Sequence, residues 1–141
     1  MSDQAQVQQQ APIPPAPAAV EDKVLPAVVY GLYLVGFATG ITVLLGLILA
    51  YVSKDSAAPA TRTHYDFQIR TFWIGVAWAL IGGLLLAVGI PLSFVIVGIP
   101  LAMLGGAIFC LLGVWFAVRC IVGLVHLSRG EAYPRPDSWL V

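Results

Sequence analysis

The sequence predicts an all-α integral membrane protein, a small bundle of three transmembrane helices, and two gaps in the charge pattern carry that prediction. From 71 to 118 the chain runs 48 residues without a charged side chain or histidine, and from 24 to 53 it runs another 30. A helix rises about 1.5 Å per residue and a bilayer core is about 30 Å thick, so about 20 apolar residues make one crossing. The longer gap therefore holds two crossings and the shorter gap one. Composition agrees, because 60% hydrophobic and 10% charged residues, with a mean hydropathy of +0.91, leave too little polar surface for a soluble domain. Net charge is zero, which removes the basic bias expected of a nucleic-acid binder.

Residues 1–23 differ in kind from the rest. Gln4, Gln6, Gln8, Gln9 and Gln10 stand among alanines and Pro12, Pro14, Pro15 and Pro17, with no apolar periodicity to pack, so this stretch reads as a disordered tail. It is not a secretory signal, because Asp3, Glu21 and Asp22 make it acidic and the apolar run that follows is too long for a signal core. The membrane domain is expected over 24–128, with a short tail over 129–141.

The first span is expected over about 26–52 as one long helix, started by Pro26 in a first-turn position and ended before Ser53, Lys54 and Asp55. At 100° per residue Gly36, Thr39, Gly40, Thr42, Gly46 and Ala50 share one face and Phe37, Ile41, Leu44, Leu45 and Ile48 the other. Lipid gives no reason to segregate small from large side chains, so a small-residue face predicts close approach of another helix. Residues 53–63 read as a polar linker. Thr63 and Asp66 then have the spacing of a helix-starting capping box, and Asp66 and Arg70 the spacing of an i,i+4 ion pair. Tyr65, Phe67, Phe72 and Trp73 predict an aromatic belt at the headgroups, and His64 reads as a plain interfacial polar residue.

The second span, about 71–90, carries Gly75, Gly82 and Gly89 at intervals of seven with Ala79 on the same stripe. Val88-Gly89-Ile90-Pro91-Leu92 then repeats as Val97-Gly98-Ile99-Pro100-Leu101, so Pro91 to Pro100 is the expected turn. Its centre, Phe94 to Val97, is too apolar for a solvated loop and is expected in the interface or against the bundle, with a re-entrant element as the sharper alternative. The third span, about 100–118, places Ala102, Gly106, Cys110, Gly113, Ala117 and Cys120 on one flank. The two cysteines lie ten residues apart on that helix and cannot bridge, so they read as small packing residues.

An interfacial extension is expected over 119–128, where Arg119, Gly123 and His126 share a polar side and Arg119 sits one turn after Trp115, in position for a cation–π anchor. Six of the seven Lys and Arg residues fall after the first or third span, which predicts the N-terminus outside and the C-terminus in the cytoplasm. Asp66, Arg70, Arg119 and His126 should then gather at the cytoplasmic surface, with Asp66 as a shared counter-ion for both arginines.

Three segments carry a resemblance. Gly46-Leu47-Ile48-Leu49-Ala50-Tyr51-Val52, the stretch His64-Tyr65-Asp66-Phe67-Gln68-Ile69-Arg70-Thr71-Phe72-Trp73, and Arg119 with Gly123-Leu124, Leu127, Gly130 and Trp139 resemble a family of small uncharacterised bacterial inner-membrane proteins. That family is similar to the twenty-kilodalton inner-envelope translocon subunit of chloroplasts, which is drawn with four helices against the three expected here. The likeness runs from about Val24 to Trp139; it implies an inner-membrane address and brings no reaction, cofactor or catalytic residue.

Function narrows to two classes. The first is a non-enzymatic scaffold or accessory subunit that associates with itself or a larger membrane complex through its glycine faces. The alternative is a transport or protein-translocation component. No catalytic, cofactor or metal site is expected, because no Ser/His, paired carboxylate, His/Glu or Cys/Cys arrangement is apparent.

Overall fold

A computed structural model describes residues 23–141, and the expected tail lies outside them apart from Lys23. The described residues form four α-helices: α1 (Val24–Thr39), α2 (Ile41–Lys54), α3 (Pro59–Leu92) and α4 (Gly98–Ser128), with a short 3-10 turn at Ser93–Val95 between the last two. They contain no strand. Two helices, α3 and α4, are long and apolar enough to cross a membrane.

The expected first span is two helices, not one. At Gly40 the backbone adopts φ 70° and ψ −43°, a conformation L side chains rarely reach, and the chain reverses. Val43 then packs on Gly36, Tyr33 and Leu32 pack on Gly46, and the Thr42 hydroxyl donates to the Leu32 carbonyl at 3.0 Å. These pairings run antiparallel. The small-residue face does meet another helix, and that helix is the other half of the same segment. At 16 and 14 residues, α1 and α2 are about 24 and 21 Å long, short of a full crossing.

Helix α3 starts at Pro59, twelve residues before the expected span, because Ala58 is extended ahead of a proline suited to the first turn. Thr63 is thus inside the helix, its hydroxyl bonded to the Ala60 carbonyl, and there is no capping box. The turn is tighter than Pro91 to Pro100: Pro91 lies inside the last turn of α3, which ends at Leu92, and Pro100 sits in the first turn of α4. The two halves of the sequence repeat meet there, with the Gly98 backbone against Gly89, Leu92 and Ser93. Phe94, Val95, Ile96 and Val97 do not fold back; they are 95%, 69%, 75% and 64% exposed.

Ile96 is the centre of a γ-turn, with φ 67° and the Val97 amide donating to the Val95 carbonyl at 2.8 Å. A β-branched residue there is strained. Ile96→Gly is expected to stabilise the protein by about 1 kcal/mol, read as a higher melting temperature in detergent; an unchanged or lower melting temperature would show that the strain is relieved elsewhere.

The α3–α4 pair is antiparallel and built on the predicted stripe. Gly75 faces Phe116, Gly82 faces Ile108 and Phe109, and Gly89 faces the Ala102 backbone. On α4 the packing glycine is Gly105, against Leu86 and the Gly82 carbonyl, and not Gly106, which has open space around it. Gly113 makes ordinary contact with Phe37. Cys120 is buried as a packing residue and Cys110 is exposed.

The hairpin α1–α2 lies against one half of this pair. Gly40 lines a cleft with Val76 and Ala79 of α3 and Phe109 and Gly113 of α4. Beyond Ala79, α3 continues 13 residues to Leu92, about 20 Å. Because the hairpin returns, Lys23 lies beside Gly130 and Lys54 pairs with Asp66. The start of α1 and the end of α4 thus share one pole of the molecule. All seven Lys and Arg residues lie in the half that contains this pole, and the Ser93–Val97 turn has none.

Candidate functional site

The candidate site is a buried polar knot at the charged pole, where α1, α3, α4 and the C-terminal tail converge. Helix α3 supplies Thr61, His64, Gln68 and Thr71, spaced three, four and three, so all four lie on one face, and each is at most 4% exposed. Helix α1 supplies Tyr30 and Tyr33, which are fully buried against Gly123 and Gly46. Arg119, 0% exposed, comes from α4. A buried polar group must find partners inside, and most of these do.

His64 links three elements. A carbonyl only accepts, so Nε2 donates to the Glu131 carbonyl at 2.8 Å, and Nδ1 is left to accept from the Tyr30 hydroxyl at 3.3 Å. Gln68 donates to the Pro26 carbonyl at 2.9 Å, while its own backbone carbonyl accepts from Tyr33 at 3.2 Å. These bonds lock the hairpin onto α3.

Arg119 locks the tail. Its Nε donates to the Thr71 hydroxyl at 2.9 Å, and Nη1 donates to the Ser138 and Leu140 carbonyls at 3.0 Å each. The guanidinium lies 4.0 Å over Phe67 and 4.9 Å from the Trp115 ring centre. Phe67 in turn stacks on Tyr133 at 3.7 Å. Burial pushes the Tyr133 phenol above the usual tyrosine range, and the Arg119 charge pulls against that rise.

The predicted surface cluster does not form as drawn. Asp66 pairs with Lys54, Arg70 Nη1 lies 3.7 Å from Asp137, and His126 meets Glu131 at 3.1 Å. Asp66 is the counter-ion of neither arginine. Arg119 is a buried hub and not an interfacial anchor, although its contact with Trp115 is the one expected. The belt is also smaller, because Tyr65 and Phe67 are buried; Trp73 stays exposed and donates to the Tyr51 hydroxyl at 3.0 Å.

Sequence reasoning missed Tyr30, His64, Gln68 and Thr71 as partners. The signal was the spacing of 61, 64, 68 and 71, which is visible only if the helix is taken to begin at Pro59. The carbonyls that hold Arg119 leave no mark in sequence at all.

The arrangement defines a class: a helical protein with two long apolar helices, a returned helical hairpin and a tail knotted to one pole by a buried arginine. No protein-family model, curated protein or solved structure matches the chain.

Proposed function

We propose that this chain is a non-enzymatic scaffold or accessory subunit of the bacterial inner membrane, anchored by α3 and α4 and wedged into one leaflet by the α1–α2 hairpin. One observation carries the reading: the apolar stretches of α3 and α4 are only 22% and 17% buried inside the protein. Surface of that kind needs lipid or another apolar helix around it. The hairpin adds two helices at the charged pole and none near the turn, so the molecule is broader in one leaflet than in the other.

Basic residues accumulate on the cytoplasmic side, so the charged pole is cytoplasmic with both ends of the membrane domain, and the apolar turn faces outward. The outer face of α2, with Ile41, Leu44 and Ile48 all at least half exposed, is the surface offered to a second copy or a larger complex. The likeness to the small bacterial inner-membrane family fits this reading, and four helical segments match the number drawn for the translocon subunit. A translocation role finds less support, because a water-filled path needs polar lining and the cleft under the hairpin, about 470 Å³, is apolar except for Tyr33, already bonded to Gln68.

The test combines extraction, topology and cross-linking. The protein should stay in the membrane through alkaline carbonate, and reporters at both termini should read cytoplasmic. In a background lacking Cys110 and Cys120, Ile96→Cys should label only from outside and Thr39→Cys from neither side. A photo-cross-linker at Ile48 should capture a second copy or another membrane protein. Labelling of position 39 from outside would mean that the hairpin spans, and lipid adducts alone at Ile48 would remove the scaffold role.

A further inference from the structure

After Arg129 the tail turns back through Pro134 and Pro136 and lays four consecutive residues along α3 and α4. Asp137 faces Arg70, the Ser138 and Leu140 carbonyls hold Arg119, and the Trp139 carbonyl accepts from Trp115 Nε1 at 3.1 Å. Below them Trp139 and Leu140 sit at the mouth of an apolar groove of about 320 Å³, walled by Ile74, Trp78, Ile108 and Trp115. From Trp115 to Ile108 the groove descends seven residues, about 10 Å, into the uncharged part of the bundle.

The tail's backbone is held here, but its side chains fit the place loosely. The Asp137 side chain is 92% exposed, and Trp139 and Leu140 are 64% and 75% exposed. Arg70 Nε and Arg119 Nη2 are buried with no hydrogen-bond partner. Two guanidinium groups stand at the edge of the uncharged run with donors to spare, above a groove that leads toward hydrocarbon. That is the chemistry of an amphiphile with a phosphate head: a planar guanidinium fork matches phosphate oxygens, and basic pockets between membrane helices hold anionic lipid heads.

We propose that Arg70, Arg119 and this groove form a binding site for one anionic phospholipid, which the tail residues Asp137–Leu140 occupy in this structure. The phosphate takes the place of the Asp137 carboxylate and of the two tail carbonyls, and one acyl chain replaces Trp139 and Leu140 in the groove. The proposal rests on the membrane reading above.

The test places the full chain, its Asp137→Asn variant and a chain ending at Pro136 in nanodiscs of equal phosphatidylglycerol and phosphatidylcholine with the same acyl chains. Native mass spectrometry then counts the lipids each protein retains. The shortened chain should keep several-fold more phosphatidylglycerol than the full chain, with phosphatidylcholine unchanged, and Asp137→Asn should move the same way. Adding Arg70→Gln, at a partly exposed position, should remove the gain, and excess inorganic phosphate should leave it intact. An equal rise of both lipids means a bare apolar groove, no rise in the shortened chain means that the uncovered groove takes no lipid, and loss of the gain to phosphate means a free-anion site; each overturns the proposal. Release of the full chain by alkaline carbonate overturns the membrane reading instead.

Discussion

Arg119→Ala should destabilise the protein by about 3 kcal/mol or more, because hydrogen bonds from a charged donor are worth about 1.5–3 kcal/mol each and three are lost together. Two cation–π contacts go with them. The loss should appear as a lower melting temperature in detergent and as rapid proteolytic removal of residues 137–141, since the Ser138 and Leu140 carbonyls no longer have their donor. Arg119→Lys should fall between, because an ammonium keeps the charge without the planar fork that reaches Thr71 and the tail at once. A normal melting temperature for Arg119→Ala would show that the knot is incidental. Full recovery by lysine would show that charge alone matters there.

The second large effect is a contrast between two glycines eight residues apart on α4. A Cβ on Gly98 would fall against the Gly89 carbonyl, the Ser93 nitrogen and the Leu92 carbonyl carbon, all backbone, so no rotamer change makes room. Gly98→Ala should cost about 3 kcal/mol, the upper end of overpacking penalties, by forcing α3 and α4 apart at the turn. Gly106 has open space around it, so Gly106→Ala should be neutral or stabilise by as much as about 1 kcal/mol through helix propensity. Accumulation in the membrane and melting temperature measure both. Equal behaviour at the two positions would mean that the helix pairing is wrong.

The long pair was legible because its glycines repeat in phase with the helix. Gly75, Gly82 and Gly89 recur every seven residues, and in the structure each faces α4. On α4 adjacent glycines at 105 and 106 defeated the same reasoning, since a shift of one residue turns a side chain by only 100° and both fit a broad face. The break at Gly40 was invisible for a related reason. A run of 30 uncharged residues has the composition of one spanning helix or of two short ones, and a glycine inside it suits close packing as well as a reversal. Its positive φ is a property of the folded backbone.

Although the third span it predicted, over 26–52, is the short-helix hairpin, the sequence by itself determined that the chain is helical and that residues 71–118 hold two uncharged stretches long and apolar enough to cross a membrane. Those features follow from the periodicity and polarity of neighbouring residues, which act over a few turns of helix. Only the tertiary structure decided that the first segment folds back on itself, that its start meets the end of α4 while its end pairs with α3, and that Arg119 is held by carbonyls 19 and 21 residues away. Each of these depends on groups far apart in the chain, and the partners that matter most are backbone atoms, which every residue carries and no sequence pattern distinguishes.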